Sequence, residues 1–135
     1  MTDSSSRDRP LSPHLQVYRP TYTMVLSILH RMSGLALSAS ALLLVAWLVA
    51  AACGAEAYAV ASRFFESLPV RLALAAAMMA FWYHLFAGLR HLAWDAGLGF
   101  ERSAARKSGA AVVALALLAT ILTMALAWRH LAAPS

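Results

Sequence analysis

The sequence has little charge and almost no cysteine. Lys, Arg, Asp and Glu make up 13% of its 135 residues while 61% are hydrophobic, a balance that soluble domains of this size rarely show. Cys53 is the single cysteine, which excludes an intrachain disulfide and a cluster held by several thiolates. The polar segments are too short to form a soluble domain that could carry a flavin. These absences indicate a membrane protein that performs no flavin or cluster chemistry by itself.

Three stretches contain no Lys, Arg, Asp or Glu, and they cover residues 32–53, 72–89 and 108–128. Each is close to the about 20 residues that a helix needs to cross about 30 Å of hydrocarbon. Ala, Leu, Val and Met dominate them without the alternation of a barrel strand. We therefore predict an all-α membrane protein whose three transmembrane helices lie at roughly 24–53, 69–96 and 106–130.

The segments outside these spans are short and polar. Residues 1–23 contain Pro10, Pro13 and Pro20 and no apolar core, which favours an extended, unprocessed amino-terminal segment over a signal peptide. Residues 54–71 carry aromatic and charged side chains that suit a short interfacial helix ending at Pro69. The predicted organisation is a cytoplasmic segment over 1–23 and a three-helix transmembrane anchor domain over 24–135.

The eleven basic residues are distributed unevenly around the predicted spans. Eight of them precede the first charge-free stretch or lie between the second and third, and these are Arg7, Arg9, Arg19, Arg31, Arg90, Arg102, Arg106 and Lys107. By the positive-inside rule, the amino terminus is cytoplasmic and the carboxyl terminus is outside. Because the basic residues flank spans and form no soluble patch, we expect no nucleic-acid partner.

His84 lies inside the second apolar stretch, where an imidazole would face hydrocarbon or a partner. Ionisable groups at that depth are costly, so His84 is a candidate haem ligand, with a hydrogen bond between helices as the alternative. His91 follows seven residues later on nearly the same helical face, about 10.5 Å along the axis at 1.5 Å per residue. One iron cannot bind both. A haem on His84 could instead extend its propionates toward His91, Arg90, His30 and Arg31, and Gly88 would leave the helix surface open beside it.

The sequence offers no other histidine that is expected to serve as a second axial ligand beside His84. His14, His30 and His130 lie in the amino-terminal segment or near the predicted ends of spans, so none is expected to match His84 in depth. If the iron is six-coordinate, its second axial ligand comes from another polypeptide. Asp95 is expected to pair with Arg90 or His91 about one turn away.

Ser27 and Arg31 are spaced i, i+4 at the cytoplasmic start of the first span, so they share one helical face. A hydroxyl and a guanidinium in this position could hydrogen-bond a quinone carbonyl whose apolar tail stays in lipid. In the alternative, Arg31 extends to the interface and Ser27 bonds to its own helix.

Three segments of the chain carry a family resemblance: RPLSPHLQVY, SILHRMSG and HLFAGLRHLAWDAG. In order, spacing and position within a three-span layout, they resemble the cytochrome b membrane-anchor subunit of succinate dehydrogenase, the large anchor of respiratory complex II. The SPHLQVY form is similar to the bacterial branch that lies close to the mitochondrial enzymes. The resemblance covers nearly the whole chain and implies a multi-pass protein of the bacterial inner membrane.

The resemblance also implies partners and cofactors. The family's subunit pairs with a second small anchor, shares one haem b with it, and docks the iron-sulfur and flavoprotein subunits on the cytoplasmic side. It implies that His84 is an axial haem ligand, with the other ligand from the second anchor. Ser27 and Arg31 would line the ubiquinone site, and His30, Arg31 and His91 would lie near the haem propionates. A quinol:fumarate reductase anchor, or a non-redox anchor or transporter component, is the alternative function.

Overall fold

Within the described residues 20–132 the computed structural model contains four α-helices and no strand, with side chains described for 20–129. The helices are α1 (Tyr22–Ala52), α2 (Ala55–Glu66), α3 (Leu68–Asp95) and α4 (Arg102–Ala132). In length and composition, α1, α3 and α4 are each able to cross a membrane. The prediction of three transmembrane helices is therefore confirmed. Most of the predicted extended segment 1–23, including His14, lies outside the described residues.

The short helix in the second segment exists, but its predicted end is wrong. α2 ends at Glu66, and Pro69 lies at the start of α3. Proline is favoured in the first turn of a helix because its missing N–H would have no intrahelical partner there. Gly54 separates α1 from α2 with φ 104°, a left-handed conformation that glycine adopts without a Cβ clash.

α3 lies in the middle of the bundle and packs against both α1 and α4. The buried residues at these contacts are Leu26, Tyr83, Ala87, Val112 and Ala116. Their small members let the helix backbones approach closely, as is usual between helices in lipid. Large apolar side chains on the outer faces remain exposed, for example Leu42 at 73% and Leu72 at 62%, as suits surfaces that face lipid or another membrane subunit.

The start of α1, the end of α3 and the start of α4 meet at one end of the bundle. Tyr22, Phe100, Arg102 and Arg106 line a shared cavity there of about 700 Å³. This end also carries Arg31 and the loop between α3 and α4. The described basic residues on which the orientation prediction rests therefore lie at this end, namely Arg31, Arg90, Arg102, Arg106 and Lys107. The cytoplasmic location of this end remains a prediction from charge.

Candidate functional site

Three imidazole rings form a column between α1 and α3. The ring of His30 lies between the other two, with its centroid 4.2 Å from that of His84 and 4.9 Å from that of His91. The expectation that His30 would not match His84 in depth is therefore wrong. It failed because the spacing of residues within one helix does not fix how far a neighbouring helix is shifted along it.

The column is not a pair of axial ligands. An iron between two imidazoles needs a ring nitrogen from each pointing toward it, at a metal–nitrogen distance of about 2 Å. The rings of His30 and His84 instead face each other, with an interplanar angle of 32°. Among the described residues no group of three or more His, Cys, Asp or Glu could hold a metal ion. A second ligand from another polypeptide therefore remains a prediction.

The two nitrogens of His84 have different surroundings. Nδ1 lies 3.0 Å from the Ser33 Oγ and 3.2 Å from the backbone carbonyl oxygen of His30, so it joins α3 to α1. Nε2 makes no hydrogen bond within the described chain, and it is not completely buried, whereas the Nε2 of His30 is both buried and without a partner. His84 thus makes the interhelical hydrogen bond that was the alternative interpretation, and it still has one nitrogen available for a ligand.

Gly34 sets how closely the His84 ring approaches α1. A Cβ at this position would lie 3.0 Å from Cε1 of His84 and 3.6 Å from its Nδ1. The first distance is shorter than ordinary van der Waals contact, so a side chain would push the ring away from the backbone. Gly34 therefore allows the imidazole to reach Ser33 and the His30 carbonyl.

Gly34→Ala is expected to displace the His84 ring by a few tenths of an ångström and to weaken its hold on any metal group by about tenfold, the lower range for disturbed supporting contacts. The measurement is the content, per purified complex, of the haem that the family resemblance implies. Gly109→Ala is the control, because its Cβ would meet Leu26 and Tyr22 at the α1–α4 contact and no histidine. Full haem content in Gly34→Ala would contradict the assigned role.

His30, Arg31 and Ser27 present polar groups without partners among the described residues. The Nε2 of His30 is buried and makes no hydrogen bond, an arrangement that is uncommon in native structures. Arg31 is exposed and Ser27 is half-buried, and neither side chain hydrogen-bonds within the described chain. Three other serines of α1 do bond to backbone carbonyls, namely Ser33, Ser38 and Ser40. The alternative in which Ser27 bonds to its own helix is therefore not realised.

Arg90 and Asp95 do not form the expected pair. The Nε of Arg90 donates to Ser108 Oγ at 3.0 Å, and one of its terminal nitrogens donates to the Ala105 carbonyl at 2.9 Å. Its guanidinium also lies 4.0 Å from the centroid of the Trp94 ring. Arg90 thus connects α3 to α4, because the turn after α3 brings the first turns of α4 closer to it than Asp95.

Sequence reasoning did not identify three residues that position this site. Ser33 and Gly34 support His84, and the hydroxyl of Tyr83 donates to the Leu26 carbonyl at 2.8 Å, next to Ser27. The sequence did contain a pattern that could have identified Ser33 and Gly34. They follow His30 at i+3 and i+4, so they share its face of α1.

The fold and the site define a class of protein. It is a membrane protein with three spanning helices and a column of three imidazole rings near its basic end. The chain belongs to the family described as succinate dehydrogenase/fumarate reductase transmembrane subunit, which it matches over residues 5–123.

Named relatives agree with this family over most of the chain. It is 44% identical over 124 residues to the succinate dehydrogenase cytochrome b556 subunit of Paracoccus denitrificans, covering 92% of this chain and 95% of the relative. It is 39% identical over 114 residues to the cytochrome b556 subunit of Rickettsia bellii, covering 84% and 89%. The mitochondrial cytochrome b560 subunit of Bos taurus is 36% identical over 120 residues, covering 87% and 71%. The predicted family is therefore confirmed.

Proposed function

We propose that this chain is the large membrane anchor of a succinate:ubiquinone oxidoreductase, that it binds one haem b together with a second anchor subunit, and that it forms part of the ubiquinone site. Its family supports the general role, and the names of its relatives, cytochrome b556 and b560 subunits, support a b-type haem. The observation that carries the proposal is the position of His84, whose Nδ1 is held by α1 while its Nε2 has no hydrogen-bond partner among the described residues and is not completely buried.

The residues around His84 fit a haem. A haem needs an imidazole nitrogen for its iron and hydrogen-bond donors for its propionates, and the described chain offers both. His84 Nε2 supplies the first. His30, Arg31 and His91 supply the second, and the buried, unpartnered Nε2 of His30 is the polar atom that a carboxylate would satisfy. When bound, the haem supplies a one-electron carrier or a charge near the quinone, while this chain's residues hold and orient it.

A second axial ligand from the partner anchor agrees with the geometry of the column. His30 faces the His84 ring instead of directing a nitrogen toward the same point, and the described residues do not completely bury the Nε2 of His84. In this proposal the partner covers that side of α3. Large exposed apolar side chains on the long helices give it a surface on which to pack.

The quinone site uses the start of α1. Ser27 and Arg31 lie one turn apart and have no hydrogen-bond partner among the described residues, so both are free to donate to a quinone carbonyl oxygen. The guanidinium stabilises the negative charge that develops on that oxygen as electrons arrive from the iron-sulfur subunit. The hydrogen bond from Tyr83 to the Leu26 carbonyl fixes the backbone beside Ser27. The isoprenoid tail of the quinone would extend into lipid.

We place the chain in the bacterial inner membrane with its basic end in the cytoplasm, where the flavoprotein and iron-sulfur subunits dock. The test is purification of the tagged chain from membranes in mild detergent. We expect the flavoprotein, the iron-sulfur subunit, a second small anchor and one b-type haem to accompany it. Recovery without those subunits, or with all of them but no haem, would contradict the corresponding part of the proposal.

Fumarate reduction with a low-potential quinol is the second candidate, and the family description includes it. The assay for it compares succinate-driven ubiquinone reduction with quinol-driven fumarate reduction in the purified complex. We expect the first to be faster, since the relatives named above are succinate dehydrogenase subunits. A dominant fumarate activity would assign the reverse direction.

A further inference from the structure

We infer that Ser33 is a positioning residue that holds His84 in the tautomer able to bind iron and lowers the reduction potential of the haem. The inference rests on the haem proposed for His84. It starts from a small hydrogen-bonded group that joins α1 to α3: the Ser33 hydroxyl, the His30 carbonyl and the His84 Nδ1. Ser33 is 7% exposed and is the one buried polar residue among the described residues.

The donors and acceptors in this group favour one tautomer of His84. A carbonyl oxygen only accepts, so the His84 Nδ1 at 3.2 Å from the His30 oxygen is placed to donate its proton. The Ser33 hydroxyl donates to the same carbonyl at 2.7 Å, which leaves the Oγ lone pairs to accept from Nδ1 at 3.0 Å. A proton on Nδ1 of neutral imidazole means a lone pair on Nε2. That nitrogen is the one without a hydrogen-bond partner among the described residues, which do not bury it completely.

A hydrogen-bond acceptor for Nδ1–H also changes how strongly the His84 imidazole donates electrons to iron through Nε2. A hydrogen bond from Nδ1–H increases the electron density that the imidazole donates to a metal. Greater donation favours ferric over ferrous iron, so the bond lowers the reduction potential. Ser33 Oγ and the His30 carbonyl share this role, and only the first can be removed by a side-chain substitution.

Three substitutions at Ser33 separate hydrogen bonding from packing. Ser33→Ala removes the acceptor, and Ser33→Cys keeps the shape but replaces the hydroxyl with a weak sulfur acceptor. Ser33→Thr keeps the hydroxyl, and threonine in helices also bonds to the preceding turn. The control is Ser40→Ala, which removes a serine whose hydroxyl donates to the Ala36 carbonyl at 2.8 Å and, among the described residues, bonds to no histidine.

The measurement is a redox titration of the haem in the purified complex, with the ferric electron paramagnetic resonance spectrum as a second readout. We expect a more positive potential and altered ferric g values in Ser33→Ala and Ser33→Cys, and wild-type values in Ser33→Thr and Ser40→Ala. Haem content should stay near that of the wild type because the His30 carbonyl still accepts from Nδ1.

An unchanged potential in Ser33→Cys would overturn the inference even if Ser33→Ala does not assemble. So would a shift in Ser33→Thr as large as that in Ser33→Ala, or loss of haem from all three variants, because both outcomes would indicate packing. A His84→Leu complex measured in parallel separates two possible failures: that Ser33 does not act on the haem, and that His84 is not the haem ligand. If His84→Leu keeps its haem, the assignment of the ligand is wrong; if it loses the haem while the Ser33 variants keep the wild-type potential, only the role of Ser33 is wrong.

Discussion

Arg31→Leu is expected to abolish succinate-driven ubiquinone reduction by the assembled complex while leaving succinate oxidation by an artificial dye unchanged. The guanidinium is exposed at the basic end of the bundle and has no partner within the described chain, so its donors are free for a quinone oxygen. Removing one donor to a developing oxyanion costs about 10²- to 10³-fold in kcat. The measurement is the ratio of quinone-dependent to dye-dependent succinate oxidation in purified complex.

Two variants make this result specific. Lys107→Leu removes a positive charge from an exposed residue in the first turns of α4 and is expected to leave the ratio unchanged. Arg31→Lys keeps the charge but loses the planar fork of donors, so an intermediate ratio is expected. Because Arg31 is also proposed to contact a propionate, haem content is measured in each preparation. A normal ratio in Arg31→Leu would exclude the residue from the quinone site.

His84→Leu is expected to remove the b-type absorption from membranes that contain the complex. Leucine has similar bulk but no nitrogen, so the iron would lose its ligand from this chain and α3 would lose its hydrogen bonds to Ser33 and the His30 carbonyl. The measurement is the reduced-minus-oxidised spectrum normalised to the assembled complex.

His91→Leu is the matched control for this prediction, since it removes an imidazole two turns away on the same helix. His91 stacks on His30 at 4.9 Å and is assigned to a propionate, so its loss should shift the spectrum and leave most of the haem in place. An unchanged spectrum in His84→Leu would remove that residue from the ligands. Equal loss in both variants would show that the loss is not specific to His84 and would leave it unassigned as a ligand.

Much of the fold could be predicted because lipid imposes simple conditions on a sequence. The charge-free stretches had to form helices long enough to span hydrocarbon, and the three helices begin and end within a few residues of the expected positions. The largest difference is at α4, which begins at Arg102 and not near 106. The basic residues there extend the helix beyond the apolar stretch, and apolar length alone does not mark such a boundary.

The site was predicted in its parts but not in its arrangement. His84, His91 and Arg31 stand out because polar groups next to or within apolar stretches are rare. The position of His30 between the other two rings depends on how far α1 is shifted along α3, and close packing at Gly34 helps to set that shift. The partner of Arg90 was missed for a related reason. The loop after α3 decides which α4 residues come within its reach.

We propose that His84 provides one axial ligand of a haem whose other ligand belongs to a second subunit. Near-infrared magnetic circular dichroism of the oxidised purified complex tests it directly, because the band position reports the pair of axial ligands. We expect a low-spin haem with two imidazole ligands, and the same ligand pair in the His30→Leu and His91→Leu complexes. A methionine or a single histidine as the protein ligand, or loss of one imidazole ligand in the His30→Leu complex, would contradict it.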